Sequence, residues 1–80
     1  MTTIAGAHDR HLDLRGLACP LPVLKTRKAL LSLGSGRRLL VEASDPLAAI
    51  DIPHFCREAG HVLVAAEKHG DTWVFLIERG

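Results

Sequence analysis

The sequence predicts one α+β domain, a two-layer sandwich in which two helices pack on one face of a four-stranded mixed sheet. Three observations carry this prediction. Short segments of strand-like alternation are each followed by a longer segment with helical periodicity. Glycines such as Gly16 and Gly60 lie between the periodic segments and indicate turns. Two apolar segments close the chain, separated only by a short turn at Gly70, which is typical of a β-hairpin.

The elements are predicted in the order β-α-β-α-β-β. The strands are expected at residues 11–15, 38–43, 61–67 and 72–78, and the helices at residues 20–33 and 51–59. Asp51 is expected to cap the second helix after one loose turn at residues 47–50, and Gly60 to end it.

The predicted core lies between the helices and the sheet. Its helical members are Val23, Thr26, Leu30, Leu33, Ile52, Phe55 and Cys56, which fall at helical spacing. The last strand is apolar on both faces, so we expect it to be central or covered on both sides. The outer sheet face is expected to carry Leu40 or Leu63 and is a candidate partner surface. Leu24 and Leu31 lie outside the main helical stripe, as a core rim or a contact surface.

Eighty residues, 48% of them hydrophobic, are enough for one domain with a modest core. We expect that domain over residues 11–80, after a loose N-terminal arm over residues 1–10. No apolar run is long enough to span a membrane, and residues 1–11 lack the basic start and apolar centre of a signal peptide. Two cysteines without a disulfide framework are typical of a reducing compartment. A cytoplasmic location is therefore expected.

The strongest chemical signal lies in the segment LACPLP, residues 17–22. Proline is tolerated in the first helical turn, where backbone N–H groups have no partner within the helix. With Cys19 at the N-cap, Pro20 and Pro22 would leave the amides of Cys19 and Leu21 directed out of the helix end, beside the sulfur. A helix N-terminus stabilises an anion, and for cysteine that anion is the nucleophilic thiolate. The position predicts an exposed, reactive thiol of lowered pKa.

A second interpretation of Cys19 stands beside this one. A lone cysteine in a small apolar domain is more often a buried side chain without chemistry. Cys19 follows a glycine turn at a strand-to-helix junction, outside any periodic apolar face, and this favours the functional interpretation. Cys56 lies within the apolar face of the second helix and is expected to pack in the core.

Charge is unevenly distributed along the chain, although the net charge is only +1. Residues 1–40 carry seven basic and two acidic side chains, whereas residues 41–80 carry three basic and seven acidic ones. Cations near Cys19 would lower the pKa of its thiol and attract an acidic partner surface. The candidates for partner binding are Arg15, Lys25, Arg27 and Lys28, with Arg15 and Arg27 also expected to stabilise the sulfur anion. The alternative is that these are ordinary solvated side chains.

Residues 12–23, LDLRGLACPLPV, and residues 27–30, RKAL, resemble the Cys-Pro-x-Pro region of the TusA/SirA family of small sulfur carriers. Residues 45–46 and 51–56 (DP and DIPHFC) resemble the second-helix region of TusA proper, and residues 75–80 (FLIERG) resemble its last strand. The resemblance covers residues 11–80. It departs from the family pattern at Leu21, where relatives often carry a polar residue.

The resemblance implies a fold like that of the C-terminal domain of bacterial translation initiation factor three. It implies that Cys19 is the catalytic residue and accepts a sulfane sulfur as a persulfide. The donor would be a pyridoxal-phosphate cysteine desulfurase or another sulfane donor, and the sulfur would pass to an acceptor protein. In many bacteria this relay ends in 2-thiouridine of certain tRNAs; the alternatives are molybdenum cofactor assembly and sulfur oxidation.

Four further motif residues are expected to support the thiol, namely Asp13, Gly16, Pro20 and Pro22. The two prolines would hold the tip rigid and reduce the ordering cost of docking. Asp13 would oppose ionisation of a nearby thiol, so we expect it to pair with a basic residue or a turn amide, or else to face solvent. The carrier is expected to need no cofactor and no metal.

The competing hypotheses are a small RNA-binding or regulatory module and a metal site. The basic first half favours RNA, but the net charge is near zero and the three aromatic side chains Phe55, Trp73 and Phe75 fall at core positions. At most a transient contact with tRNA is expected. His54 and Cys56 point apart on a helix and would chelate a metal poorly.

Overall fold

The computed structural model describes residues 8–80, which form a sheet covered on one face by two helices. The strands are β1 (Arg10–Leu14), β2 (Arg38–Ala43), β3 (Val62–His69) and β4 (Thr72–Glu78), and the helices are α1 (Leu21–Leu31) and α2 (Ala48–Ala59). The sheet order is β1-β2-β4-β3, with β1 and β2 parallel and the other two pairs antiparallel. The predicted α+β sandwich and its element order are confirmed. No helix among residues 8–80 is long and apolar enough to cross a membrane.

The parallel pairing of β1 with β2 determines where the functional loops lie. Leu14 at the end of β1 pairs with Ala43 at the end of β2. The chain therefore leaves both strands at the same edge of the sheet, and it enters α1 and α2 from that edge. Loops that are far apart in sequence are brought side by side.

The last strand is central, as its two apolar faces predicted. β4 lies between β2 and β3, and its residues 74–77 are all buried. The two-residue turn Gly70-Asp71 joins it to β3. The φ angle of Gly70 is 61°, in the left-handed region that the tightest hairpin turns require.

The core fills the space between the helices and the sheet, as predicted. Leu30, Ile52 and Cys56 from the helices are each at most 1% exposed, and Val23, Leu33 and Phe55 pack at the edge of the same cluster. The sheet contributes Leu14, Leu39, Val41, Ala43, Phe75 and Ile77. Thr26 is fully buried, and its Oγ1 has no hydrogen-bond partner among the described residues.

The outer face of the sheet carries a small second cluster of Leu40, Val74 and Leu76, with Ala65 packed beside it. Of the two leucines considered for this face, Leu40 lies there, whereas Leu63 packs on the helix side. The reason is an irregularity in the pairing of β3 with β4 between Leu63 and Ala65. Because neighbouring strand residues face opposite ways, one extra residue moves the following side chains to the other face.

The second helix begins three residues earlier than predicted. Asp45 Oδ1 accepts the N–H of Leu47 at 3.0 Å, and the Asp45 carbonyl accepts the N–H of Ala48 at 2.9 Å. The chain is thus already wound when it reaches Ala48, and Asp51 lies in the first helical turn instead of capping it. Gly60 ends the helix as predicted, with a φ of 79°.

The other boundaries shift by one or two residues. α1 ends at Leu31 because its last turn tightens: the amides of Ser32 and Leu33 bond to carbonyls three residues earlier. At the N-terminus β1 begins at Arg10, and Asp9 is held by Arg38, whose N–H donates to Asp9 Oδ2 at 2.9 Å. The rest of the expected arm, residues 1–7, lies outside the described residues.

Candidate active site

Cys19 lies in the loop between β1 and α1, and its side chain is exposed as predicted. The helix begins at Leu21 with Pro20 as its N-cap, so Cys19 stands one residue before the cap, and the Cys19–Pro20 peptide bond is cis. Of the two motif prolines, Pro20 is exposed beside the thiol, whereas Pro22 is fully buried and anchors the first turn of α1 in the core.

The two amides expected to face a sulfur anion are both engaged elsewhere. The N–H of Cys19 donates to Asp45 Oδ2 at 2.6 Å, and the N–H of Leu21 donates to the carbonyl of Ala18 at 2.9 Å. The expectation that they hold the thiolate is therefore wrong. The Cys19 amide, which was expected to bond to the sulfur anion, bonds to the carboxylate of Asp45 in the loop after β2.

The electrostatic setting of the thiol is acidic, which corrects the predicted lowering of its pKa. Cys19 Sγ donates a hydrogen bond to Asp51 Oδ2 at 3.2 Å. This hydrogen bond, partial desolvation and the charges of Asp51 and Asp45 together raise the pKa of the Cys19 thiol above its ordinary value. This environment disfavours the thiolate relative to the thiol.

Arg15 does not face the sulfur, although it is only four residues away. Its Nε and Nη2 bond to the two carboxylate oxygens of Asp13, each at 2.8 Å, and its own N–H donates to Asp13 Oδ1 at 3.1 Å. Glu42 lies 3.9 Å from the same guanidinium. The Arg15 guanidinium holds the pKa of the Asp13 carboxyl far below its usual range. Asp13 thus has both kinds of partner expected for it, and Arg15 is already neutralised.

The three other candidate cations lie along α1. Lys25, Arg27 and Lys28 are exposed, and none of them contributes to the electrostatic setting of Cys19. Lys25 and Lys28 line a groove of about 400 Å³ together with Arg10, whose Nη1 donates to Ser32 Oγ at 2.7 Å. The structure therefore separates the basic surface from the thiol.

Gly16 supports the turn that carries the chain from β1 to Cys19. Its φ is 85°, a conformation that residues with a Cβ rarely adopt. Its N–H donates to Ser44 Oγ at 2.8 Å, and the N–H of Leu17 returns to the Leu14 carbonyl at 3.2 Å. The turn is thereby tied to the loop that follows β2.

The residues missed in the sequence are Ser44, Asp45 and Asp51, which bond to the Cys19 loop from 26 to 32 residues away. The sequence contained a usable signal. Both acids follow the second predicted strand, and a parallel pairing with the first strand would place them at the edge where Cys19 lies. Aspartates also commonly form turns and helix caps, and that interpretation was chosen over a contact with the Cys19 loop.

Large hydrophobic side chains are exposed where the two helices begin. Leu21 and Leu24 at the start of α1 are 43% and 49% exposed, and Leu47 and Ile50 at the start of α2 are 51% and 67% exposed. We call these four residues the apolar rim, since both helices begin at the edge that carries Cys19. Large exposed hydrophobic side chains at one end of a small domain are typical of a docking surface.

The second cysteine is a core residue, as predicted. Cys56 is 1% exposed, and burial raises the pKa of its thiol to about 11. Within residues 8–80, no three His, Cys, Asp or Glu side chains are grouped so that they could hold a metal ion. Cys19 is the exposed cysteine of the described part of the chain.

The described residues form a small α+β domain with one exposed thiol, which lies on a loop at the edge of the sheet. The chain belongs to the sulfurtransferase TusA family, whose family model matches residues 10–79. It is also similar to the crystal structure of a SirA-like protein from Desulfitobacterium hafniense, with 25% sequence identity and a TM-score of 0.79. That match covers 90% of this chain and 99% of the other. Family membership assigns the protein to sulfur transfer in general.

Proposed function

We propose that the protein is a persulfide carrier, in which Cys19 accepts one sulfane sulfur from a donor protein and passes it to an acceptor protein. The observation that carries the proposal is the exposed Cys19 thiol at the sheet edge, within the residues 10–79 that match the family model of a sulfurtransferase. The donor is a cysteine desulfurase or another sulfane donor. For the end of the relay we favour tRNA 2-thiouridine synthesis, with sulfur oxidation and molybdenum cofactor assembly as alternatives.

Each transfer is a thiol–persulfide exchange without net oxidation. The Cys19 sulfur attacks the outer sulfur of the donor persulfide, so that a new S–S bond forms at Cys19 and the donor's S–S bond breaks. The donor cysteine leaves as a thiolate and takes up the proton that Cys19 loses. In the second step an acceptor thiolate attacks the outer sulfur of Cys19–S–SH, and Cys19 becomes the leaving group.

Docking is assigned to the apolar rim, with the basic side chains of α1 as the second contact. The rim residues lie at the ends of the two helices that begin at the edge carrying Cys19, so a partner that buries them brings its own sulfur towards the thiol and reduces the access of water to the exchange. Lys25 and Lys28 on α1 line a positive groove with Arg10 that suits an acidic partner, and Arg27 is exposed on the same helix. Arg15 is neutralised by Asp13 and adds little. A relay from a cysteine desulfurase to tRNA runs in the cytoplasm, and we propose that location.

The proposal is tested by intact-mass spectrometry after incubation with a cysteine desulfurase and free cysteine, without reductant. We expect a gain of one sulfur atom that dithiothreitol removes. Cys19→Ser should lose the gain, whereas Cys56→Ser should retain it because its sulfur is buried. Transferable sulfur on Cys19→Ser would overturn the assignment. If no gain is seen, other sulfane donors such as polysulfide are tested next, and failure with all of them rejects the carrier role.

An RNA-binding module is the second candidate, favoured only by the groove at Arg10, Lys25 and Lys28. The aromatic side chains do not support it. Phe75 is buried, and Trp73 is half-buried with Lys68 Nζ 5.0 Å from its ring centre. A gel-shift assay distinguishes the two, since a carrier should show at most weak binding that salt abolishes.

A further inference from the structure

The two carboxylates at Cys19 indicate a control on the reactivity of its thiol, which we call the gate. We propose that Asp51 and Asp45 keep Cys19 protonated and weakly nucleophilic in the free protein, and that a partner releases the thiolate by bringing a cationic side chain to this site. The identity of that partner as a sulfur-donor protein rests on the proposed function. The gate itself concerns any reaction of the thiol.

The first argument is the short contact between the Cys19 sulfur and the Asp51 carboxylate. Cys19 Sγ lies 3.2 Å from Asp51 Oδ2, and at this distance the thiol donates its proton to the carboxylate oxygen. Loss of that proton would place a thiolate directly against a carboxylate. The contact therefore stabilises the thiol and destabilises its ionised form.

The second argument is that the charges on the elements next to Cys19 disfavour a thiolate. Asp51 faces the sulfur from α2, and Asp45 lies beside it in the loop after β2, bonded to the Cys19 amide at 2.6 Å. In the loop that carries Cys19, Arg15 is turned to Asp13 and Glu42. A thiolate at this position would be the third negative charge, and the described residues provide no cation that offsets it.

The excess of negative charge at Cys19 indicates the chemistry of the partner. A Lys or Arg side chain placed between the two carboxylates would compensate their charge and favour the thiolate, while the apolar rim excludes water and strengthens the effect. The proton of Cys19 leaves with the departing sulfur of the donor, as in the exchange above. A gate of this kind keeps the free carrier from reacting with small electrophiles and oxidants before it meets its donor.

Small charged reagents test the gate without any partner protein. The probes are methanethiosulfonates with a trimethylammonium or a sulfonate group, together with neutral iodoacetamide, at pH 7 and low ionic strength. We expect the cationic reagent to react with Cys19 at least about threefold faster than the anionic one, because a cation about 6 Å from a carboxylate gains that much even in water. The preference should fall as salt is added.

Asp51→Asn is the decisive variant, with Glu58→Gln as its matched control. Both remove one acidic charge from α2, but Glu58 lies seven residues from Asp51, about 10 Å along the helix, and does not act on the thiol. Asp51→Asn should narrow the preference for the cationic reagent and raise the iodoacetamide rate. Each unit of lowered pKa gives about tenfold more thiolate, and lower nucleophilicity reduces the net gain to about threefold. Circular dichroism verifies that each variant is folded.

Two outcomes would overturn the gate. If Asp51→Asn slows iodoacetamide, the carboxylate activates the thiol; if it behaves like Glu58→Gln, the carboxylate has no influence on it. The sulfur-loading experiment is independent of both. Loading that fails while the reagent preferences hold rejects the carrier role alone, and loading that succeeds without reagent preferences rejects the gate alone.

Discussion

Thr26 offers a sharp test of the packing between α1 and the sheet, through the substitution Thr26→Val. The side chain is fully buried, and its Oγ1 has no hydrogen-bond partner among residues 8–80. In the unfolded chain the same hydroxyl is hydrated. Folding therefore costs the desolvation of one hydroxyl without a compensating hydrogen bond.

The magnitude follows from replacing a hydroxyl with a methyl group of similar size. A buried unsatisfied polar group costs about 1–3 kcal/mol, and an added buried methyl contributes roughly 0.8 kcal/mol. Valine and threonine have similar helix propensities, so the backbone adds little. Together these contributions predict that Thr26→Val raises the free energy of unfolding by about 2–4 kcal/mol. For a domain of this size each kcal/mol raises Tm by about 4–8 °C.

The assay is urea unfolding followed by far-ultraviolet circular dichroism, with the m-value checked for constancy. Thr26→Ser is the matched control: it keeps the hydroxyl and loses the methyl group, and should destabilise by about 1 kcal/mol. A Thr26→Val protein less stable than wild type would refute the reasoning, because it would mean that the hydroxyl has a partner or that the site has no room for the methyl group.

Three further predictions follow from the site and the core. Asp45→Ala should destabilise the domain by about 1–3 kcal/mol in urea unfolding, since one carboxylate bonds to the amides of both Cys19 and Leu47; Asp45→Asn should lose roughly half as much, because one oxygen is kept. Gly16→Ala should cost about 1–2 kcal/mol in the same assay from backbone strain alone, because its φ is 85° and an added Cβ meets no atom within 4 Å. Stability should fall between pH 9 and about pH 11, measured by urea unfolding at each pH, because the unfolded chain loses the Cys56 proton first while the folded one keeps it up to a pKa of about 11.

Each of these has an outcome that contradicts it. Asp71→Asn removes an exposed acid and is the control for Asp45→Ala. If the two variants are equally stable, the hydrogen bonds of Asp45 do not stabilise the loop. A neutral Gly16→Ala would mean that the turn relaxes to another conformation. Cys56→Ala, which lacks the thiol, should flatten the alkaline decline, and an unchanged decline would assign it to other groups.

The elements that could be predicted best are those whose boundaries depend on local pattern. The second and fourth strands lie at residues 38–43 and 72–78, as predicted from their apolar alternation and the flanking turns. The start of α2 could not be predicted in this way. Local rules favour Asp51 as a cap, but Asp45 winds the chain into the helix earlier, and Asp51 is left to bond with Cys19.

The site also combines features that depend on local sequence with features that depend on distant contacts. The exposure of Cys19 follows from its place between a glycine turn and a helix start, which is local information. Its charge environment was predicted with the wrong sign, because the cations closest in sequence are not the charges closest in space. Arg15 pairs with Asp13, two residues before it, instead of facing the sulfur. The acids that contact Cys19, Asp45 and Asp51, lie 26 and 32 residues after it in the chain.

Periodicity and glycine placement were enough to predict the fold class, and the residues around Cys19 were enough to indicate the family, because both are local features of the sequence. The charge environment of Cys19 could not be predicted in this way, because it depends on contacts between distant parts of the chain. The parallel pairing of β1 with β2 brings two loops to one edge of the sheet, and with them the carboxylates of Asp45 and Asp51 to the sulfur. A pKa depends on the distances between charges, and those distances exist only once the chain has folded.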